Sequence, residues 1–182
     1  MQLPTFKFHS SAYKNKIVVN SDKKCICCNQ QRGYIYSGPV YAIADIRDEI
    51  CPWCIADGSA HEQFGATFSD EHGIGGFDGD GEINEDDIQE IVCRTPGFSG
   101  WQQETWLAHC GRGADFVGYA GKKELTALGA SAIKAIKNNN DWLGSDDAWQ
   151  DVFNNLSASG SPCCYLFRCI VCGEHTGYID FD

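Results

Sequence analysis

Cys25-x2-Cys28 and Cys51-x2-Cys54 stand 22 residues apart, and this pairing constrains the fold more than any other feature of the chain. Zinc takes four soft or borderline ligands in a tetrahedron, and two CxxC pairs brought together by a hairpin supply them. The chain must then fold back on itself between residues 28 and 51. A site closed by four protein ligands leaves no position for water, so its expected role is structural, not catalytic. Cys27 adjoins the first pair, but the CxxC spacing selects Cys28.

The first pair has an echo. Cys25-x2-Cys28 is followed by Asn29-Gln30-Gln31-Arg32 and then Gly33-Tyr34-Ile35; Cys169-x2-Cys172 is followed by Gly173-Glu174-His175-Thr176 and then Gly177-Tyr178-Ile179. Identical spacing into an identical Gly-Tyr-Ile predicts two knuckles of one type, each a tight turn that leaves as a strand. The Cys169–Cys172 half-site needs two more ligands. Cys110, beside His109, is the nearest supplier, and Cys163, Cys164 and His175 are others. Cys93 reads as a small buried apolar residue on a helix.

The chain has 11 cysteines, an odd count. Met1 to Lys7 carries no basic segment leading into a long apolar stretch, so no secretory signal is expected and the cytoplasm is the expected compartment. In a reducing compartment such a count reads as metal or redox chemistry. No run approaches the roughly 18 apolar residues that a membrane span requires.

The formal net charge is -11. That balance disfavours a nucleic-acid binder, which needs clustered Lys and Arg. Between Arg47 and Arg94 the 46 intervening residues include 13 carboxylates and no Lys or Arg. Asp78, Asp80, Glu82, Glu85, Asp86 and Asp87 lie in this stretch and are the expected docking surface for a positively charged protein partner. Solubility is the plainer explanation of the same charge. Residues 76–87 also resemble an EF-hand or dockerin calcium loop, with acids at the third and fifth positions and glycine at the sixth. Gly76 stands where an Asp ligand belongs, and Asp87 where a bidentate Glu belongs, so calcium binding is not expected.

Cys51-Pro52-Trp53-Cys54 admits a thiol–disulfide reading, though the βαβ frame that normally carries such a motif is not evident. Arg94 to Glu104 is rich in groups an active site uses, yet no nucleophile–base–orienter order can be read from it.

The expected fold is α+β: small zinc-knuckle or ribbon β elements with packed helices, in one domain over residues 1–182. Residues 25–54 form a first zinc module; 110–177 hold helices and the second knuckle. Short strands are expected at Phe6–Phe8 and Ile17–Val19, and a hairpin turning at Gly38-Pro39 over Gly33–Tyr41. Helices are expected over Ile55–Phe64, after the N-cap Asn84, over Glu124–Lys137, and after the N-cap Ser145. A helix or extended segment is expected at Trp101–His109 and a strand at Asp115–Tyr119. Strand, knuckle and strand should close the chain from Cys163.

Several long segments are similar to the CbrC family of bacterial proteins, associated by name with colicin tolerance. They are Leu3-Pro4-Thr5-Phe6-Lys7-Phe8-His9, Gly33-Tyr34-Ile35-Tyr36-Ser37-Gly38-Pro39, and Cys51-Pro52-Trp53-Cys54-Ile55-Ala56-Asp57-Gly58-Ser59-Ala60. Arg94-Thr95-Pro96-Gly97-Phe98-Ser99-Gly100-Trp101-Gln102-Gln103-Glu104, Trp106-Leu107-Ala108-His109-Cys110-Gly111 and Tyr165-Leu166-Phe167-Arg168-Cys169 continue the likeness, which runs almost to the end of the chain. The resemblance implies a further cysteine four residues after Cys110, where this sequence has Ala114. The second site is then lost, or completed by His109, Asp115, Cys163 or Cys164. The family name implies little mechanism by itself; together with the 46-residue stretch that lacks Lys and Arg it leads to the expectation of a non-enzymatic protein that confers immunity or tolerance by binding a cationic toxin domain. A zinc-stabilised adaptor for another partner and a thiol oxidoreductase using Cys51 and Cys54 are the alternatives.

Overall fold

The computed structural model describes residues 2–75 and 83–182. Strands β1 (Val18–Asn20) and β2 (Tyr34–Tyr36) pair antiparallel, with Val18 opposite Tyr36. The first cysteine pair forms the end of this hairpin. The expected Gly33–Tyr41 hairpin does not form. Tyr36 instead bonds back to Pro39 O (2.8 Å) and its hydroxyl accepts from Gly97 N (3.1 Å), while Tyr41 bridges to Thr67. A Cβ at Gly38 would lie 2.5 Å from the Tyr36 hydroxyl, so only glycine lets the chain fold over that ring.

Helices α1 (Pro52–Ala56) and α2 (Ser59–Phe64) occupy the expected helical stretch as two pieces. Gly58, at φ 83°, breaks them apart. Pro52 sits at the first turn of α1, where its missing N–H costs nothing. Around these elements Phe6, Val18, Ile35, Tyr36, Ile46, Ile50, Ile55 and Phe68 bury a first core that includes Cys25, Cys51 and Cys54.

Helix α3 (Glu85–Arg94) starts where expected, with the Asn84 side chain accepting from Asp86 N at 2.8 Å. No helix forms over Trp101–His109. That segment is extended and ends in β3 (Ala108–His109), which turns tightly into β4 (Arg112–Gly113). The two turn residues, Cys110 and Gly111, have φ 54° and 69°, the signature of a two-residue hairpin loop.

The remaining chain builds β5 (Asp115–Ala120), α4 (Lys122–Leu128), α5 (Ala130–Asn138), α6 (Asp146–Asn155), β6 (Cys163–Arg168) and β7 (His175–Asp180). The helix expected over Glu124–Lys137 is divided by Gly129, whose φ of 92° and ψ of 175° leave the helical region. Ser145 caps α6 through Ala148 N at 3.1 Å. The sheet order is β5-β6-β7, antiparallel throughout.

Alternation along β6 builds two cores at once. Cys163, Tyr165 and Phe167 face Phe8, Ile91, Phe98, Trp106 and Phe116; Cys164 and Leu166 face Leu125, Ile136, Trp149 and Phe153. Phe116 and Phe167 are fully buried, each contributing roughly 1.5–3 kcal/mol of burial. Phe6–Phe8 forms no strand, though Phe8 O accepts from Phe116 N at 2.7 Å. The outer edge of β7 is covered by buried Asn140, which donates to Gly177 O (3.0 Å) and accepts from Ile179 N (2.8 Å). The protein is thus mixed α+β, with six α-helices and small antiparallel sheets among the described residues.

Candidate metal centres

In the first cluster, the knuckle is fixed by its own backbone. Cys25 N donates to Gln30 O (2.9 Å) and Asn29 N to Cys25 O (2.8 Å), with Asn29 at φ 54°. Cys51 occupies the N-cap of α1 and offers no side-chain cap, which leaves its sulfur free for the cluster. Its N–H donates to Cys25 Sγ at 3.2 Å. Sulfur–sulfur separations are 3.8 Å for Cys25–Cys54, 3.8 Å for Cys28–Cys51 and 3.6 Å for Cys51–Cys54. Zinc–sulfur bonds of about 2.3 Å require tetrahedral edges of about 3.8 Å, so these three edges already stand at zinc spacing. Hydrogen bonds from Cys51 and Cys54 hold the Cys25 thiol far below its ordinary range. The same sharing with Cys25 pushes Cys51 up to about 12 and raises Cys54. A divalent ion bound there would displace the thiol protons.

The second cluster repeats the knuckle. Cys169 N donates to Glu174 O (2.8 Å) and Gly173 N to Cys169 O (3.0 Å), with Gly173 at φ 76°. The β3–β4 turn brings His109 and Cys110 to it. His109 Nδ1 lies 3.3 Å from Cys110 Sγ and 3.5 Å from Cys172 Sγ, and those two sulfurs are 3.9 Å apart. One donor atom from each of His109, Cys110, Cys169 and Cys172 falls within 4.8 Å of all the others, as in the first cluster. A zinc–nitrogen bond of about 2.0–2.1 Å gives a nitrogen–sulfur edge near 3.6 Å, which these contacts approach. The other ring nitrogen, Nε2, faces Glu174 Oε2 at 3.8 Å, the carboxylate–histidine arrangement common behind metal ligands. Burial opposes ionisation of Cys169, but N–H donors from Cys172 and Val171 outweigh it and hold the thiol at about 6. Both clusters could hold metal ions, and their donor sets are compatible with zinc.

The other candidates fall elsewhere. Cys163 and Cys164 are buried on opposite faces of β6, and Ala114 lies in the second core. Asp115 is taken by Ser10 and Arg168. Cys93 is buried on α3, its thiol 3.7 Å from Gln89 Oε1, and Cys27 Sγ rests 3.5 Å from Ser59 Oγ. His109 therefore stands as the fourth member of the second cluster.

Of the acidic candidates, Asp78, Asp80 and Glu82 lie outside the described residues, as does most of the calcium-like loop. Glu85 and Asp86 are exposed. Asp87 requires correction, because it offers no docking surface. Its side chain is 2% exposed and accepts from Arg112 (2.5 and 2.8 Å), Lys7 (2.9 Å) and Gly113 N (3.2 Å). It clamps the β3–β4 hairpin, and with it two members of the second cluster, onto α3. Charge counting missed this clamp because a surface acid and a buried one look alike in sequence. Glu174 was also missed; its place inside the repeated knuckle was the available signal.

Among the described residues no helix is long and apolar enough to cross a membrane. The chain is 42% identical over 183 residues to UPF0167 protein Mb2317 of Mycobacterium bovis, covering 99% of this chain and 94% of that one. UPF0167 protein MT2352 of Mycobacterium tuberculosis matches equally. UPF0167 protein PA1536 of Pseudomonas aeruginosa is 34% identical over 180 residues, covering 98% and 97%. No solved structure matches the chain. Residues 3–181 match the family described as Uncharacterised protein family (UPF0167), and the chain belongs to that family.

Proposed function

We propose that this chain is a non-enzymatic zinc protein whose two closed sites hold together a surface for binding another protein. The observation that carries the reading is the pair of four-donor clusters, each with its donor atoms within 4.8 Å of one another and with three edges near tetrahedral length. Four protein donors around one ion leave no position for a substrate or an activated water. The expected result is two zinc ions per chain by native mass spectrometry, with both bound as the protein is purified.

The partner we propose is a cationic protein domain, and the likeness to the CbrC family makes a bacterial toxin domain the first to test. Asp48, Asp57, Glu62, Glu71, Glu85 and Asp86 are exposed within the stretch that lacks Lys and Arg, and such a field steers a basic partner. Binding to a basic toxin domain from the same genetic locus should be tight at low ionic strength and weaken steeply with salt. No binding at low salt to any such candidate would remove the toxin reading and leave the adaptor reading.

The thiol oxidoreductase reading is less well supported. Cys51 and Cys54 are 1% and 2% exposed, whereas reactive dithiols sit partly open to their substrates.

A further inference from the structure

Away from both metal centres, the end of β7 borders a cleft of about 590 Å³, within the range of small-ligand sites. Trp142 stands on its wall, 60% exposed, at the short turn Asp141–Leu143. Its ring meets Phe181 at 6.0 Å between centroids and 77° between planes, so the two form an aromatic corner. The polar lining combines the side chains of Gln102, Gln103, Asn139 and Tyr178 with two carboxylates. Gln102 commits its Nε2 to Phe181 O (3.4 Å), and Gln103 commits its Nε2 to Asp70. Each carboxamide keeps its oxygen and one further N–H for other partners. Asp141 adds an exposed carboxylate at the rim. Asp180 adds a buried one, fixed by Trp101 N (2.9 Å), Gln102 N (3.2 Å) and Phe181 N (3.0 Å). No Lys, Arg or His lines the cleft among the described residues.

These groups discriminate between ligand classes. An anion would meet two carboxylates and no base. A neutral polyol would leave both carboxylates without a counter-charge. A protonated amine brings three N–H donors and a charge that favours the face of an indole, and its alkyl chain can lie along Trp142. We propose that this cleft binds a protonated alkylamine, either a free polyamine or the lysine side chain of a peptide. The inference goes beyond the cationic partner above, since the cleft lies outside residues 48–93.

Calorimetric titration of the zinc-loaded protein tests it, with spermidine, a short lysine peptide, the same peptide acetylated on lysine, a neutral disaccharide and acetate as probes. The expected result is saturable one-to-one binding of an amine and at least tenfold weaker binding of the acetylated peptide. Trp142→Ala and Asp141→Asn should each weaken amine binding at least tenfold. Both residues are exposed, and unchanged circular dichroism and zinc content would show the variants folded. Tighter binding of spermidine assigns the site to free polyamines; tighter binding of the lysine peptide assigns it to a protein segment. No binding of either amine, equal binding of the disaccharide, or amine binding untouched by both substitutions would overturn the proposal.

Discussion

At the first cluster Cys25, Cys51 and Cys54 are each no more than 2% exposed, whereas at the second Cys110 and Cys172 are exposed and only Cys169 is buried. The knuckles themselves do not differ. Both place the same two backbone hydrogen bonds around the first cysteine and a left-handed residue four positions on. The difference lies in the partner pair. Cys51 and Cys54 arrive on a helix whose Ile55 packs in the surrounding core, so the first cluster sits inside a hydrophobic shell. His109 and Cys110 arrive on the tip of a hairpin with two residues per strand. The same local geometry thus yields a site built into a core and a site that clips a small hairpin to the end of a sheet. A buried site exchanges its ion only when the surrounding structure opens; an exposed one can be reached directly.

The largest expected break in this comparison is at the first site. Cys54→Ser should lose one metal and at least about 4 kcal/mol of stability, because metal binding there is coupled to folding of the first core. Urea denaturation with metal analysis checks this. Asp87→Asn comes next. It should cost about 1–3 kcal/mol, because the buried side chain loses its charge-assisted bonds and turns an amide towards a ring of donors, and it should weaken the second site while sparing the first.

The pH dependence has a definite sign. Burial pushes the Asp87 carboxyl up, but Arg112, Lys7 and the Gly113 N–H outweigh it and hold it at about 2. The stability it gives is complete above the ordinary carboxylate pKa of about 3.9 and is lost as pH falls towards about 2. The Asn variant should lack that component of acid unfolding.

Cys172→Ser should remove the second metal at a cost of roughly 2 kcal/mol, leaving the first core folded by near-ultraviolet circular dichroism. The smallest effect belongs to Glu174→Gln, which should weaken the second metal about tenfold, or about 1.4 kcal/mol, with no change at the first site. Competition against a chromophoric chelator reads both affinities.

The cysteine pattern carried most of what could be read before the fold was known. Repetition of spacing through Gly33-Tyr34-Ile35 and Gly177-Tyr178-Ile179 fixed both knuckles, because a metal turn is local chemistry. Asn84 and Ser145 marked their helices for the same reason: a cap is decided within a few residues. Contacts between distant segments were hidden. Nothing around Pro39 shows that Tyr36 pairs with β1, and the choice among His109, Asp115, Cys163 and Cys164 depended on which of them the β3–β4 turn presents. Gly129 stood inside a good helical pattern, and its break follows from a positive φ that the pattern alone does not encode.

Two zinc sites of unequal access predict an order of metal loss, and native mass spectrometry during chelator treatment, paired with thiol alkylation, tests it directly. Two zinc ions should be present at the start. The first to leave should expose Cys110 and Cys172 to alkylation, while Cys25, Cys28, Cys51 and Cys54 stay protected until the second departs. Absence of bound metal in the purified protein, or alkylation of Cys51 and Cys54 before Cys110 and Cys172, would contradict it.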